Sequence, residues 1–135
     1  MISLICGAKG SGKTKRILDA ANDMAAKSDG DVVYLTDNQK HSSEIKHTVR
    51  FVNYAEYGVK SPEAALGFIK GVLSVNNDIT HILIDGFARM AGRPIADMES
   101  LYDALEALCI SDKMDFILTV SSDESGIPQF MRKYL

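Results

Sequence analysis

At 135 residues, with 46% hydrophobic and 24% charged residues, the chain can build one domain with a real core and has neither a disordered nor a membrane composition. Its formal net charge of −3, with the basic residues scattered, argues against a broad basic face for nucleic acid. No apolar run approaches the roughly 20 residues needed to cross a bilayer, and the apolar start is too short for a secretory signal, so a cytoplasmic protein with no membrane partner is expected.

The run Ile2 to Cys6 (ISLIC) reads as a strand buried on both faces, and a glycine-rich stretch over 7–12 follows it. Ile17, Leu18, Ala21, Met24 and Ala25 recur at helical spacing across 13–27, with Gly30 placed to stop that helix. Residues 32–36 (VVYLT) form a second strand, 37–47 are polar and read as a loop, and 48–54 alternate like a half-exposed edge strand. Ser61-Pro62-Glu63 starts a helix with a cap, an N1 proline and an acid in the first turn. That helix carries Ala65, Leu66, Ile69, Val72 and Leu73 on one face; Gly67 and Gly71 each cost roughly 1 kcal/mol of propensity, which predicts close packing there.

Residues 81–85 (HILID) are another buried-type strand, broken by Gly86, and a loop rich in Arg, Gly and Pro spans 87–96. Asp97 is expected to cap a helix with Met98, Leu101, Tyr102, Leu105, Leu108 and Cys109 on its inner stripe. Residues 116–120 (FILTV) make the last strand, and Pro128 opens a short terminal helix that docks Phe130, Met131, Tyr134 and Leu135. Strand and helix alternate throughout, which predicts a single α/β domain over 1–135: a three-layer αβα sandwich around a mainly parallel sheet of about five strands. Cys6 and Cys109 read as small buried hydrophobes; His41, His47 and His81 lack zinc-site spacing and read as surface or loop residues.

The chemistry concentrates in Gly7-Ala8-Lys9-Gly10-Ser11-Gly12-Lys13-Thr14, which matches G-x-x-x-x-G-K-[ST] in full. Glycines let the backbone turn its N–H groups inward, close enough to hold phosphate oxygens, and the helix that follows adds its positive dipole end. Lys13 is then placed to reach the β- and γ-phosphates and the Thr14 hydroxyl to ligate Mg²⁺. Asp85 ends an apolar strand and should emerge at the sheet's C-terminal edge, where a carboxylate can orient the water ligands of Mg²⁺.

The pairing of GAKGSGKT with HILID resembles the Walker A and Walker B motifs of the P-loop NTPases, and the resemblance covers nearly all of the chain. The strands and helix between the two motifs look like the recombinase-like branch, in which a strand separates the P-loop strand from the Walker B strand. The outline is similar to small-molecule kinases of that branch, such as thymidine kinase and adenosylcobinamide kinase. The resemblance implies a P-loop fold that binds a nucleoside triphosphate, ATP being the nucleotide expected here, with Mg²⁺. The chain departs from it where a glutamate usually follows the Walker B aspartate: that position is Gly86. The four cysteines of the thymidine kinase zinc lasso are also absent.

With Gly86 unable to act as a base, Asp37, just past the second strand, is the first alternative, ahead of Glu56, Asp123 and Glu124; a plain turn aspartate is the competing reading. Arg89 and Arg93 could deliver a guanidinium to the γ-phosphate from a loop free to move as a lid, or could simply be solvated. Ser121 and Ser122 end the last strand, where the resemblance implies a polar residue that senses the γ-phosphate, and satisfied turn hydroxyls are the equal alternative; Lys9, Lys15 and Arg16 add positive charge nearby, with Lys15 and Arg16 also readable as solvent-facing residues of the helix. Two functions fit these residues. One is an ATPase or a kinase acting on a small-molecule acceptor. The other is a nucleotide-gated switch with little hydrolysis that signals to a protein partner or serves as an assembly subunit, in a homo-oligomer where Arg89 or Arg93 completes a neighbour's site.

Overall fold

A computed structural model describes all 135 residues. Five strands, β1 (Ile2–Gly7), β2 (Asp31–Thr36), β3 (Arg50–Asn53), β4 (Ile79–Ile84) and β5 (Asp115–Ser121), form one sheet in the order β1-β5-β4-β2-β3 with every pairing parallel. Four α-helices are present: α1 (Lys13–Lys27), α2 (Pro62–Ser74), the short α3 (Phe87–Ala91) and α4 (Glu99–Ser111). β3 lies at the edge, as its alternation predicts. The strand that separates β1 from β4 is β5; β2 and β3, which precede β4 in the chain, lie beyond it on the other side.

Side-chain alternation along the strands sorts the core into two layers. Ile17, Leu18 and Ala21 of α1 pack with Val32, Tyr34 and Leu83 on one face. The next residues along the same strands, Val33, Leu35, Ile82 and Ile84, face the other way into a larger cluster with Ala65, Ile69, Met90, Leu101 and Leu105. Helices therefore cover both faces, α1 alone on one and α2, α3 and α4 on the other. Each Ile or Leu buried this way contributes about 1.5–3 kcal/mol.

Several local expectations are corrected. α1 ends at Lys27 with Ser28 as its cap, whose N–H donates to the Met24 carbonyl; Gly30 lies beyond. The 37–47 loop contains a 3₁₀ turn, Gln39–Glu44, that buries His41, so that histidine is no surface residue. The 87–96 segment is not a free loop. Phe87, Met90 and Ala91 of α3 are fully buried, and Gly92 packs against the Lys60 backbone, so the segment is anchored rather than free to swing as a lid. Met98, not Asp97, occupies the cap of α4, without a side-chain bond. The chain end docks Met131 and Tyr134 in a 3₁₀ turn, but Leu135 stays half exposed. Ser61 does cap α2, its hydroxyl accepting from the Ala64 N–H.

Gly67 and Gly71 are exposed on α2, and a Cβ at either would meet nothing within 4 Å, so no close packing explains them. Gly67→Ala and Gly71→Ala should each stabilise the protein by about 0.5–1 kcal/mol, by lowering unfolded-chain entropy and raising helix propensity. Urea unfolding measures this, and a lowered midpoint in either variant would show that the glycine is needed in the folded state.

Candidate functional site

Because all five strands run the same way, β1, β2, β4 and β5 end at one edge of the sheet. Gly7 and Ser121 pair in register, Ser121 being exposed, and Asp85, one residue past β4, hydrogen-bonds its N–H to the Leu35 carbonyl near the end of β2. Residues far apart in the chain thereby meet at one place, and that place is the carboxyl edge where ligands of open α/β sheets bind.

The stretch from 7 to 14 is curled. Ser11 N–H donates to the Ala8 carbonyl at 3.1 Å, and Gly10 and Gly12 hold φ of 84° and 89°, left-handed values that glycine adopts without strain. Gly12 is the cap of α1, and Lys13, at 9% exposure, folds its Nζ back onto the Ala8 carbonyl at 3.0 Å. A buried ammonium held to its own loop puts positive charge at the mouth of a helix N-terminus, where unpaired N–H groups already favour an anion. Lys9 is exposed; Lys15 pairs with Asp19 at 3.1 Å, one turn along the outer face of α1, and Arg16 is exposed there too. A cleft of about 410 Å³ opens beside Thr14 and Lys15, walled by Leu18, Asp19 and Glu44.

Asp85 is 5% exposed, and its two oxygens are held by different parts of the chain. Oδ1 accepts from the Thr119 hydroxyl at 2.9 Å, and Oδ2 lies 3.5 Å from the Thr14 hydroxyl, a residue 71 positions away. The same Oδ2 is 3.9 Å from His41 Nδ1 and 4.0 Å from Arg89 Nη2. His41 Nδ1 also meets the hydroxyls of Tyr34 and Thr36, at 3.1 and 3.2 Å. No group of three or more His, Cys, Asp or Glu side chains gathers into an all-protein metal cage. One hydroxyl and one carboxylate oxygen facing each other instead suit a hard cation that keeps water and takes further oxygens from a ligand, as Mg²⁺ does.

Position 86 explains its own glycine. Gly86 has φ 79°, its N–H donates to Thr119 Oγ1 at 2.7 Å, and its carbonyl accepts from the Tyr54 hydroxyl at 3.3 Å. A Cβ there would fall 2.2 Å from Arg89 Nη2, so the guanidinium occupies the space a side chain would need. Burial, with Asp37 and Asp85 nearby, pushes the Tyr54 phenol well up, which keeps it a donor.

Arg89 Nε and Nη2 donate to Asp37 Oδ2 and Oδ1 at 2.8 and 3.1 Å, a two-pronged pair across the ends of β2 and β4. The guanidinium holds the Asp37 carboxyl below the usual carboxylate range, against the opposing effect of burial. Asp37 and Arg89, expected as separate candidates for base and finger, are thus spent on each other in this arrangement. Arg93 sits apart, exposed, with only the Gly92 carbonyl at 3.4 Å. Of the weaker acids, Asp123 binds Ser125 and Gly126 in its own turn, while Glu56 and Glu124 are exposed in 3₁₀ turns. Ser122 likewise turns its hydroxyl to the Asp123 carbonyl.

Sequence reasoning missed Thr119, His41 and Tyr54. The signal for Thr119 was present: a hydroxyl inside the apolar run FILTV must find a partner when buried. An apolar cleft of about 390 Å³ at Met1, Ile2, Cys109 and Tyr134 lies at the opposite ends of the strands, away from all of these residues.

Thr119→Val should destabilise by about 1–3 kcal/mol, since it strips a buried carboxylate oxygen and the Gly86 amide of one shared partner; Thr119→Ser should retain most of the stability. Thermal unfolding of the three proteins checks this, and an unchanged Val midpoint would remove Thr119 from the network. Asp37 has a lowered folded pKa, so its pairing stabilises above the unfolded carboxylate pKa and is lost as pH falls through the folded value. Asp37→Asn should therefore be less stable than wild type at pH 7, with the gap closing below about pH 4; a gap independent of pH rules the pairing out as its cause. No protein-family model matches this chain, and no curated protein matches its sequence, so the site is read from its own geometry.

Proposed function

We propose that this chain binds a nucleoside triphosphate with Mg²⁺, in the manner of the P-loop NTPases that its two motifs resemble. The approach of Thr14 Oγ1 to Asp85 Oδ2, at 3.5 Å across 71 residues, carries the reading. A hydroxyl at the start of a helix and a carboxylate at a strand end have no need to meet for local reasons. Their meeting beside a curled glycine loop supports the expected division of labour: amides of 8–14 for phosphate, Lys13 for the β- and γ-phosphates, and Thr14 with Asp85 for the metal. When bound, Mg²⁺ supplies positive charge that offsets the β- and γ-phosphate oxygens. The sheet order also supports the recombinase-like resemblance, since β5 separates β1 from β4.

Binding does not by itself give turnover. At the ends of β2 and β4, Asp37 is tied to Arg89 and Asp85 to Thr119 and Thr14, and Gly86 offers no side chain. Asp37, its pKa lowered and both oxygens committed to Arg89, is a poor proton acceptor. This favours a nucleotide-gated binding module, cytoplasmic as its sequence predicts, whose hydrolysis is slow while the Asp37–Arg89 pair stands. An ATPase or small-molecule kinase is the second reading; it requires nucleotide or acceptor to draw Arg89 away and free Asp37.

Calorimetry with Mg·ATP should give saturable heat for the wild type. Lys13→Ala should weaken that binding about tenfold or more with the circular dichroism unchanged, because charge-assisted contacts to phosphate are lost. Asp85→Asn should reduce the Mg²⁺-dependent affinity more than the metal-free affinity. Absence of heat with any triphosphate would end the proposal. Phosphate release well above the Lys13→Ala control would move the chain to the enzyme reading.

A further inference from the structure

Arg93 is a cation without an anion. No ion pair of the chain includes it, and its guanidinium hydrogen-bonds only to the carbonyl of the preceding residue, at 3.4 Å. It is not on a wandering segment, because buried Met90 and Ala91 and the Gly92 contact with Lys60 fix the turn that presents it. Beside it lies a cleft of about 280 Å³ lined by Gly86, Arg89, Arg93, Ile95, Thr119 and Ser121, separate from the cleft beside Thr14. The unpaired guanidinium of Arg93 and the exposed hydroxyl of Ser121, in a cleft with a few apolar walls, make an oxyanion site with room for a small molecule, just under the usual ligand-pocket size; the Thr119 hydroxyl in its wall is taken by Asp85 and Gly86.

From this we infer that the cleft binds a second ligand, a small molecule carrying a phosphate or carboxylate group that Arg93 recognises. Gly86 follows Asp85, and Ser121 pairs with Gly7 at the start of the glycine loop, so the cleft adjoins the loop across the sheet edge. The placement of this ligand next to a terminal phosphate rests on the nucleotide reading; the affinity of the cleft for an oxyanion does not. Arg89 forms the inner wall but is committed to Asp37, so the unpaired charge available to the ligand is that of Arg93. An anion that also reached Arg89 would compete with Asp37 for it, which couples occupancy of this cleft to release of the acid.

Backbone amide NMR of the full chain reads the loop (8–14) and the cleft (86–95 and 121) separately while inorganic phosphate replaces chloride at constant ionic strength. The cleft amides should shift saturably. The shifts should persist in Lys13→Ala, and in protein saturated with Mg²⁺ and a non-hydrolysable ATP analogue. In Arg93→Gln the apparent Kd should rise about tenfold or more, the loss of one charge-assisted contact pair. Acetate in a parallel arm distinguishes a carboxylate ligand from a phosphate one. If neither anion saturates at the cleft, or if Arg93→Gln leaves the shifts unchanged, the second-ligand site is overturned. It is overturned equally if the cleft shifts vanish once the analogue is bound, because Arg93 then reads the nucleotide's own terminal phosphate. An analogue that fails to move residues 8–14 defeats the nucleotide reading alone and leaves the cleft result standing.

Discussion

Asp85 brings a carboxylate to a place where only 5% of the residue meets solvent, and a carboxylate in such a place must be compensated. The surrounding chain is arranged to do so. Thr119 donates to one oxygen, Thr14 approaches the other, and His41 and Arg89 stand about 4 Å away. Each of these comes from a different element, so the need to satisfy one buried group ties β5, α1, the 39–44 turn and α3 to the end of β4. An apolar residue of the same size would pack more cheaply. Retaining an acid there makes sense if a cation or its waters occupy the Thr14 side, which is the role the proposed function gives it.

The Thr119 hydroxyl is shared between Asp85 and the Gly86 amide, and Gly86 in turn receives Tyr54 on its carbonyl. Backbone and side-chain polar groups at this turn are thus used up inside the protein, in a conformation with φ 79° that residues other than glycine rarely adopt. The geometry gives a physical reason for a glycine at this position. A glutamate at 86 would carry the strain of a left-handed backbone and displace the Arg89 guanidinium. Arg89 occupies that space and pairs with Asp37, just past the end of β2.

Charge distribution follows the same division. The glycine loop carries Lys13 inward and Lys9 outward, while the edge beyond β4 carries a neutralised pair and one unmatched arginine. Lys9 and Arg93 are exposed and make no ion pair, whereas Lys13 is buried on its own loop.

The primary sequence was sufficient for the strands and for the glycine loop, because both are written in local patterns. Runs such as ISLIC and HILID read as strands, although β1 lies at an edge of the sheet and is half-buried beyond Ile2 rather than buried on both faces, and the Ser61-Pro62 start of α2 names its own cap. Alternation of element types also implied a parallel sheet, and hence that Gly7, Asp37, Asp85 and Ser121 would share an edge. What packing alone decided were the identities of the partners. That Thr14 faces Asp85, that Asp37 binds Arg89, that His41 is buried and that the 87–91 segment is an anchored helix all depend on strand order and on distances across the sheet. None of these leaves a periodic trace in the chain, since a polar contact between residues dozens of positions apart is set by the relative placement of whole elements and not by their composition.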